Sequence, residues 1–118
     1  MNKLKSYEDL IVWQKGIDLA TNTYLFTAKF PKHELFGLVS QMNRSGVSVP
    51  SNVAEGFGRK SREEFKRFLR ISLGSLYEYN TQLHICHKLG YLPDYEYIKI
   101  QSLCLEIDKI INTILKKY

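Results

Sequence analysis

Positive charge is concentrated in one short segment of the sequence. Within residues 59–70, six basic residues stand against only Glu63 and Glu64. The rest of the chain is close to charge balance, although the formal net charge is +5. Clustered Lys and Arg side chains are typical of surfaces that bind nucleic-acid phosphates. The segment therefore predicts a nucleic-acid-binding surface that consists of Arg59, Lys60, Arg62, Lys66, Arg67 and Arg70.

Spacing divides these basic residues into two groups. Arg67 lies four residues after Glu63 and three after Glu64, so ion pairs that support a helix can form there. Four of the other five follow one another at intervals of three, four and four residues, which places them along one side of a helix. This row consists of Arg59, Arg62, Lys66 and Arg70. Spacing alone fits an anion-binding surface and a solvated helix face equally well.

A second row of polar side chains crosses residues 41–55 at helical spacing. Its surroundings are small and nearly uncharged, because Arg44 is the only charged residue between Gly37 and Ala54. A lone Arg among amides and small residues suits a partly buried hydrogen-bond network, whereas a solvent face is the alternative. We therefore predict an oligomer interface or a buried polar stripe that consists of Gln41, Arg44, Ser48, Asn52 and Glu55.

Residues that could bind a metal ion or act as catalysts are few. His84, Cys86 and His87 form a cluster of metal-ligand type, but no carboxylate close in sequence completes the set. Glu55 is the acidic residue with the least usual setting, and a role at a helix end explains it as well as general-base chemistry does. We therefore expect no metal, no cofactor, no small-molecule substrate and no catalytic residues.

Length and composition are those of one ordinary globular domain. The chain has 118 residues, of which 44% are hydrophobic and 25% charged. Its longest apolar run, Leu10–Trp13, is far shorter than the roughly 20 residues of a membrane-spanning helix. Cys86 and Cys104 are too few for a disulfide scaffold. We expect a single domain over residues 1–118, located in the cytoplasm and without a membrane partner.

Four segments with helical periodicity position the polar rows, and none alternates with the two-residue period of a strand. The expected helices cover about 7–29, 33–56, 61–89 and 94–117. Ser6 suits the N-cap of the first helix, and Ser61 with Glu64 forms a capping box for the third. Pro50 predicts a kink or short break in the second helix. Short connections then give an all-α, antiparallel, up-down-up-down four-helix bundle.

Apolar stripes on these helices predict the core. On the first helix the stripe consists of Leu10, Trp13, Ile17, Ala20 and Tyr24. The second and third helices contribute Leu35, Leu38, Met42, Val49 and Val53, and then Phe65, Leu69, Ser72, Leu76, Tyr79, Leu83 and Cys86. The fourth contributes Ile100, Leu103, Ile107, Ile110 and Ile114.

Several segments together resemble the bacterial four-helix bundle proteins of the 23S rRNA intervening-sequence family. The resemblance extends from about Tyr7 to Leu92, and its most specific part is the run Asn-Val-Ala-Glu-Gly-Phe-Gly-Arg at residues 52–59. The segments that carry it are Tyr7–Lys15, Phe30–Pro31, Glu34–Leu38, Gln41–Ser45, Val49–Arg59 and Gly74–Glu78. Asn43 and Ser45 stand where this family more usually has Arg and Ala, which lowers the positive charge around Arg44.

The resemblance implies a small antiparallel bundle without an established enzymatic activity. It also implies similarity to accessory proteins of diversity-generating retroelements, which form pentameric barrels with a basic nucleic-acid-binding surface. We therefore expect a non-enzymatic homo-oligomer, a pentamer by resemblance, that binds the backbone of RNA or DNA. Two alternatives remain open: a protein–protein interaction module without a nucleic-acid ligand, and an enzyme that uses Glu55 and Arg44 in a cleft between subunits.

Overall fold

Four long helices build the protein, as the sequence predicts. A computed structural model describes residues 5–117. The helices are α1 (Ile11–Thr27), α2 (Ser40–Gly58), α3 (Arg62–Lys88) and α4 (Asp94–Lys117). Consecutive helices pack antiparallel, and α1 also packs against α4, which closes the bundle. The expected all-α four-helix bundle is therefore confirmed.

The first helix begins later than its sequence predicts. Ser6 does act as a cap, but it caps a short 3-10 helix (Tyr7–Asp9) whose Glu8 backbone N–H donates to the Ser6 hydroxyl. Leu10 then has an extended backbone, with φ of −76° and ψ of 125°. The cap residue and the long helix are therefore separated by a turn, and α1 begins at Ile11.

The buried side of α1 lies one residue away from the predicted stripe. Ile17 and Tyr24 are exposed, and Trp13 is half-buried, with an edge-to-face contact to Tyr7. The core instead receives Val12, Gly16, Leu19, Thr23 and Phe26. The stripe expected at Leu10, Trp13, Ile17, Ala20 and Tyr24 is therefore wrong at Ile17 and Tyr24, whereas Leu10 and Trp13 pack against the edge of the core. The hydrophobic pattern did not indicate the buried face because two of its core positions hold a glycine, Gly16, and a hydroxyl-bearing residue, Thr23.

Each of these two core positions has a local reason. Gly16 lies against Pro50 of α2, so closely that a Cβ atom on Gly16 would come within 2.9 Å of the Pro50 Cβ. The Thr23 hydroxyl donates to the Leu19 carbonyl oxygen at 2.6 Å and accepts from the buried Tyr79 hydroxyl. Both residues thus allow α1 to approach α2 and α3 closely.

The second predicted helix is interrupted near its start and not at its proline. A 3-10 helix (Lys32–Glu34) and a π-helical turn (Leu35–Val39) precede α2, and Gly37 departs from helical geometry with φ of −108° and ψ of −112°. Beyond this point α2 continues through Pro50 without a break. The Glu34 carboxylate holds the turn, since it accepts from the Leu38 backbone N–H at 3.2 Å and from the Tyr91 hydroxyl at 3.0 Å.

The core predicted for the other three helices is largely confirmed. Most of the predicted residues of α2 and α3 are buried, with Leu35 as the exposed exception, and Tyr79 is fully enclosed. On α4 the centre of the buried stripe shifts to Ile100, Cys104, Ile107 and Ile111, with Leu103 and Ile110 at its edge. None of the helices formed by residues 5–117 combines the length and apolar character that a membrane crossing requires.

Candidate nucleic-acid interface

A tight turn between α2 and α3 places the basic segment at one end of the bundle. Lys60 occupies the left-handed region with φ of 59°, which reverses the chain within three residues. The Ser61 hydroxyl then accepts from the Glu64 backbone N–H at 3.3 Å, so half of the predicted capping box is present. The Glu64 carboxylate does not complete the box, because it binds Arg67 instead.

Arg67 and Arg59 each form an ion pair with a glutamate of the same chain. Arg67 donates to both carboxylate oxygens of Glu64, at 3.0 Å and 3.3 Å. The hydrogen bond from Arg67 lowers the pKa of the Glu64 carboxyl group. Arg59 binds Glu55 at 2.7 Å, and both guanidinium groups lie over the ring of Phe68. These two Arg side chains are therefore fixed and partly neutralised.

Three other basic residues share one face of α3. Arg62, Lys66 and Arg70 follow every fourth residue and line a shallow surface depression with Glu63. At about 1.5 Å of rise per residue, the three Cα atoms span about 12 Å along the helix. The spacing therefore places Arg62, Lys66 and Arg70 on one face as expected, and their binding of nucleic acid stays a prediction. Arg59 does not belong to this row, because α3 begins at Arg62 and Arg59 turns back toward Glu55.

Three members of the polar row on α2, Gln41, Arg44 and Ser48, contact α3 and form a hydrogen-bonded seam with it. Arg44 binds Glu78 at 2.8 Å, and the Ser48 hydroxyl lies 2.8 Å from the Ser75 hydroxyl. Asn52 donates to Ser48, at 2.8 Å from its carbonyl oxygen. We call this set of contacts the α2–α3 seam. It has the expected network of an Arg with a carboxylate and small polar groups, but the carboxylate is Glu78 and not Glu55.

Further contacts extend the α2–α3 seam toward the core. Gln82 donates to Gln41 at 3.4 Å and accepts from the Ser45 hydroxyl at 2.7 Å. Sequence reasoning missed the three α3 partners Ser75, Glu78 and Gln82, although their spacing of three and four residues places them on one helix face. The signal was a polar row on α3 that matches the row on α2.

The histidines near the end of α3 join α3 to α4. His84 lies 2.8 Å from the Tyr97 hydroxyl, and His87 stacks on the Tyr97 ring at 3.9 Å between ring centroids. His87 also approaches the Asp94 carboxylate at 2.7 Å, so a carboxylate does lie close in space. Cys86 lies in the hydrophobic core and does not take part in these histidine contacts. Across residues 5–117, no group of three His, Cys, Asp or Glu side chains is placed to hold a metal ion.

Glu55 and Arg44, the two residues that an enzyme would use in a cleft between subunits, have separate partners. Glu55 pairs with Arg59, whereas Arg44 pairs with Glu78. The geometry within one chain therefore does not bring Arg44 and Glu55 together as a catalytic pair.

Fold and charge together define a small antiparallel four-helix bundle with a basic face beside the α2–α3 turn. The sequence profile of the 23S rRNA-intervening sequence protein family matches residues 8–113, and the chain belongs to this family. A similar solved structure is a protein of unknown function from the S23 ribosomal protein family of Bacteroides thetaiotaomicron VPI-5482. The two align with a TM-score of 0.80 and 27% identity, over 90% of this chain and 99% of that one. No curated protein matches the chain.

Proposed function

We propose that the protein is a non-enzymatic homo-oligomer that binds the phosphate backbone of RNA or DNA. The observation that supports this proposal is the row of Arg62, Lys66 and Arg70 on one face of α3. Three cations within about 12 Å of helix length offer several charges to one stretch of phosphates. Glu63 is the one carboxylate in the same depression, so the local balance there stays positive.

The chemistry of this face favours binding with little base preference. Lys and Arg contacts to phosphate position a nucleic acid but carry no sequence information directly. In a homo-oligomer the same face recurs on every copy, so weak contacts add up through effective concentration. The pentamer implied by the family resemblance would present five such faces. Lys60, on the exposed turn before α3, extends the same charged end of the molecule.

A titration of fluorescent oligonucleotides by anisotropy tests the proposal. Single- and double-stranded RNA and DNA are compared across a series of salt concentrations, with the wild type and a triple variant, Arg62→Gln, Lys66→Gln and Arg70→Gln. Glutamine is a good helix former, so folding should survive. We expect weaker binding and a log–log salt slope smaller by about 0.7 to 0.9 for each phosphate contact removed.

A matched control removes the same charge from another surface. Lys99, Lys109 and Lys116 are exposed on α4, and their joint replacement by Gln also lowers the net charge by three. This variant should bind nearly as the wild type does. Equal losses in both triple variants would show that only net charge matters, and unchanged binding by the α3 variant would refute the proposed face.

A protein-interaction module without a nucleic-acid ligand is the second candidate function. It is favoured by the adjoining apolar residues Leu35 and Phe36, which are 54% and 92% exposed, because contiguous exposed apolar side chains mark interaction surfaces. The same titration separates the two candidates. Salt-sensitive binding supports the first, and absence of binding at low salt supports the second.

A further inference from the structure

Phe36 is an apolar side chain that the rest of residues 5–117 leaves almost fully exposed. It follows Leu35 in the π-helical turn, and Leu35 is itself 54% exposed. The departure from helical geometry at Gly37 fixes this turn before α2 begins. Glu34 accepts hydrogen bonds from Leu38 and Tyr91, so Phe36 projects from a turn that is hydrogen-bonded to the rest of the bundle.

An apolar groove lies beside the same turn. Its walls come from the end of α1 and from the segment before α2, and they include Tyr24, Ala28, Phe30, Leu35 and Val39. Phe36 does not line this groove, although its neighbour Leu35 does. The Phe36 side chain is therefore an exposed apolar knob, and within residues 5–117 neither this knob nor another side chain fills the groove.

We propose that Phe36 of one copy inserts into this groove on a second copy of the chain. The inference rests on the proposed homo-oligomer and assigns its contact surface. A second copy is the occupant because each chain supplies both complementary halves. One knob and one groove per chain also fit a closed ring, in which each Phe36 enters the groove of the next copy and none remains unfilled.

The exposed apolar side chains can form the centre of a specific interface. Phe36, Tyr24 and Leu35 are 92%, 55% and 54% exposed. In the proposed ring one interface joins Phe36 of one copy to Tyr24 and Leu35 of the next, and at no more than about 200 Å² per whole side chain these residues bring up to about 400 Å² of apolar surface to it, counted over both partners. A standard interface covers about 800 Å² per partner, of which about 60% is apolar. The three side chains thus supply about 40% of the roughly 960 Å² of apolar area that the two partners of such an interface bury together. Lys32 and Asn43 lie at the polar edge of the groove.

Sedimentation velocity over the micromolar range tests this contact in the full chain. Phe36→Ser removes the knob, and Ala28→Arg fills the groove with a long polar side chain. Ala28 is exposed at the C-terminal end of α1, where a cation is favourable, so this variant should fold. Tyr95→Ser is the matched control, because Tyr95 is another exposed aromatic residue, at 76%, and lies on α4.

We expect the wild type and Tyr95→Ser to associate alike, and both Phe36→Ser and Ala28→Arg to raise the dissociation constant at least about tenfold. Circular dichroism should show equal helix content in all four proteins. An assembled wild type whose mass is unaffected by Phe36→Ser and Ala28→Arg overturns this contact while the homo-oligomer stands. A wild type that stays monomeric throughout the range overturns both the contact and the homo-oligomer.

Discussion

The two cysteines show how burial changes the chemistry of single residues. Burial raises the pKa of the Cys86 thiol to about 11 and that of the Cys104 thiol to about 12. In the unfolded chain both thiols ionise near their ordinary value of 9.0. As the pH rises above 9, the unfolded state therefore loses these protons first. The free energy of unfolding should fall between pH 9 and about 11 to 12.

Urea unfolding at several pH values checks this dependence. A double variant, Cys86→Ala and Cys104→Ala, has lower stability at neutral pH because each change leaves a small cavity. Its stability should nevertheless decline less steeply above pH 9 than that of the wild type. Parallel declines in the two proteins would contradict the prediction and assign the effect to other groups, such as the Tyr79 hydroxyl, whose pKa burial also raises.

Single polar residues in the core mark where sequence reasoning stops. Tyr79 was predictable as a core residue from the apolar stripe of α3, and it is fully buried. The burial of its partner Thr23 could not be predicted. A threonine in the sequence fits a solvated hydroxyl as well as one that accepts a hydrogen bond from a tyrosine on another helix. The pairing depends on two helices meeting at a particular height, which only the packed bundle fixes.

At the scale of helices, glycine decides how closely α1 and α2 approach. A Cβ on Gly16 would meet the Cβ of Pro50 at 2.9 Å and its backbone Cα at 3.3 Å, and the proline ring cannot rotate away. Gly74, also inside a helix, has open space around the same position. Gly16→Ala should therefore lower the free energy of unfolding by about 1 to 3 kcal/mol. Gly74→Ala should raise it by about 0.5 to 1 kcal/mol.

Chemical denaturation of the two variants and the wild type measures this contrast. Because both substitutions give the helix the same intrinsic gain, their difference reports the cost of separating α1 from α2. A stabilised Gly16→Ala protein would mean that α1 and α2 can move apart at no cost.

The number, order and approximate ends of the helices could be predicted, because caps, prolines and periodicity are local signals. The ends of α4 match the expected 94–117, whereas α1 begins at Ile11 because Leu10 has an extended backbone. The face of α1 could not be read from hydrophobicity, because Gly16 and Thr23 are buried for reasons of shape and hydrogen bonding. The π-helical turn at Leu35–Val39 also had no recognised signal.

Over the whole molecule, the positions of charged and polar segments could be predicted from the sequence, but the partners of their side chains could not. The basic segment and the α2 polar row were both visible from composition and spacing. Their partners depend on how α2 and α3 lie side by side, so Glu78 and Ser75 could not be assigned to Arg44 and Ser48. Whether copies meet at the row Gln41, Arg44, Ser48, Asn52 and Glu55 stays a prediction, and the α2–α3 seam gives it a competing explanation within one chain.

A charge exchange at Arg44 and Glu78 separates these two explanations. Arg44→Glu places two carboxylates at the 2.8 Å contact, and Glu78→Arg places two cations there. Each single change should lower the stability of the bundle, by about 1 kcal/mol or less because the pair is largely exposed. The double exchange restores opposite charges and should recover most of that loss. Light scattering should give the wild-type mass for all three variants, since the contact lies within one chain.

Unfolding stability and assembly mass, measured together, distinguish a contact within one chain from a contact between copies. A network inside the chain depends only on which charges face each other, so the double exchange repairs it regardless of assembly. An interface between copies at Arg44 would instead dissociate in Arg44→Glu while the helix content of each bundle persisted, because every copy keeps its own core. If Arg44→Glu lowers the mass of the assembly but leaves the unfolding midpoint unchanged, the copies meet at the α2 polar row. An interface at Phe36 is then not required to explain the assembly.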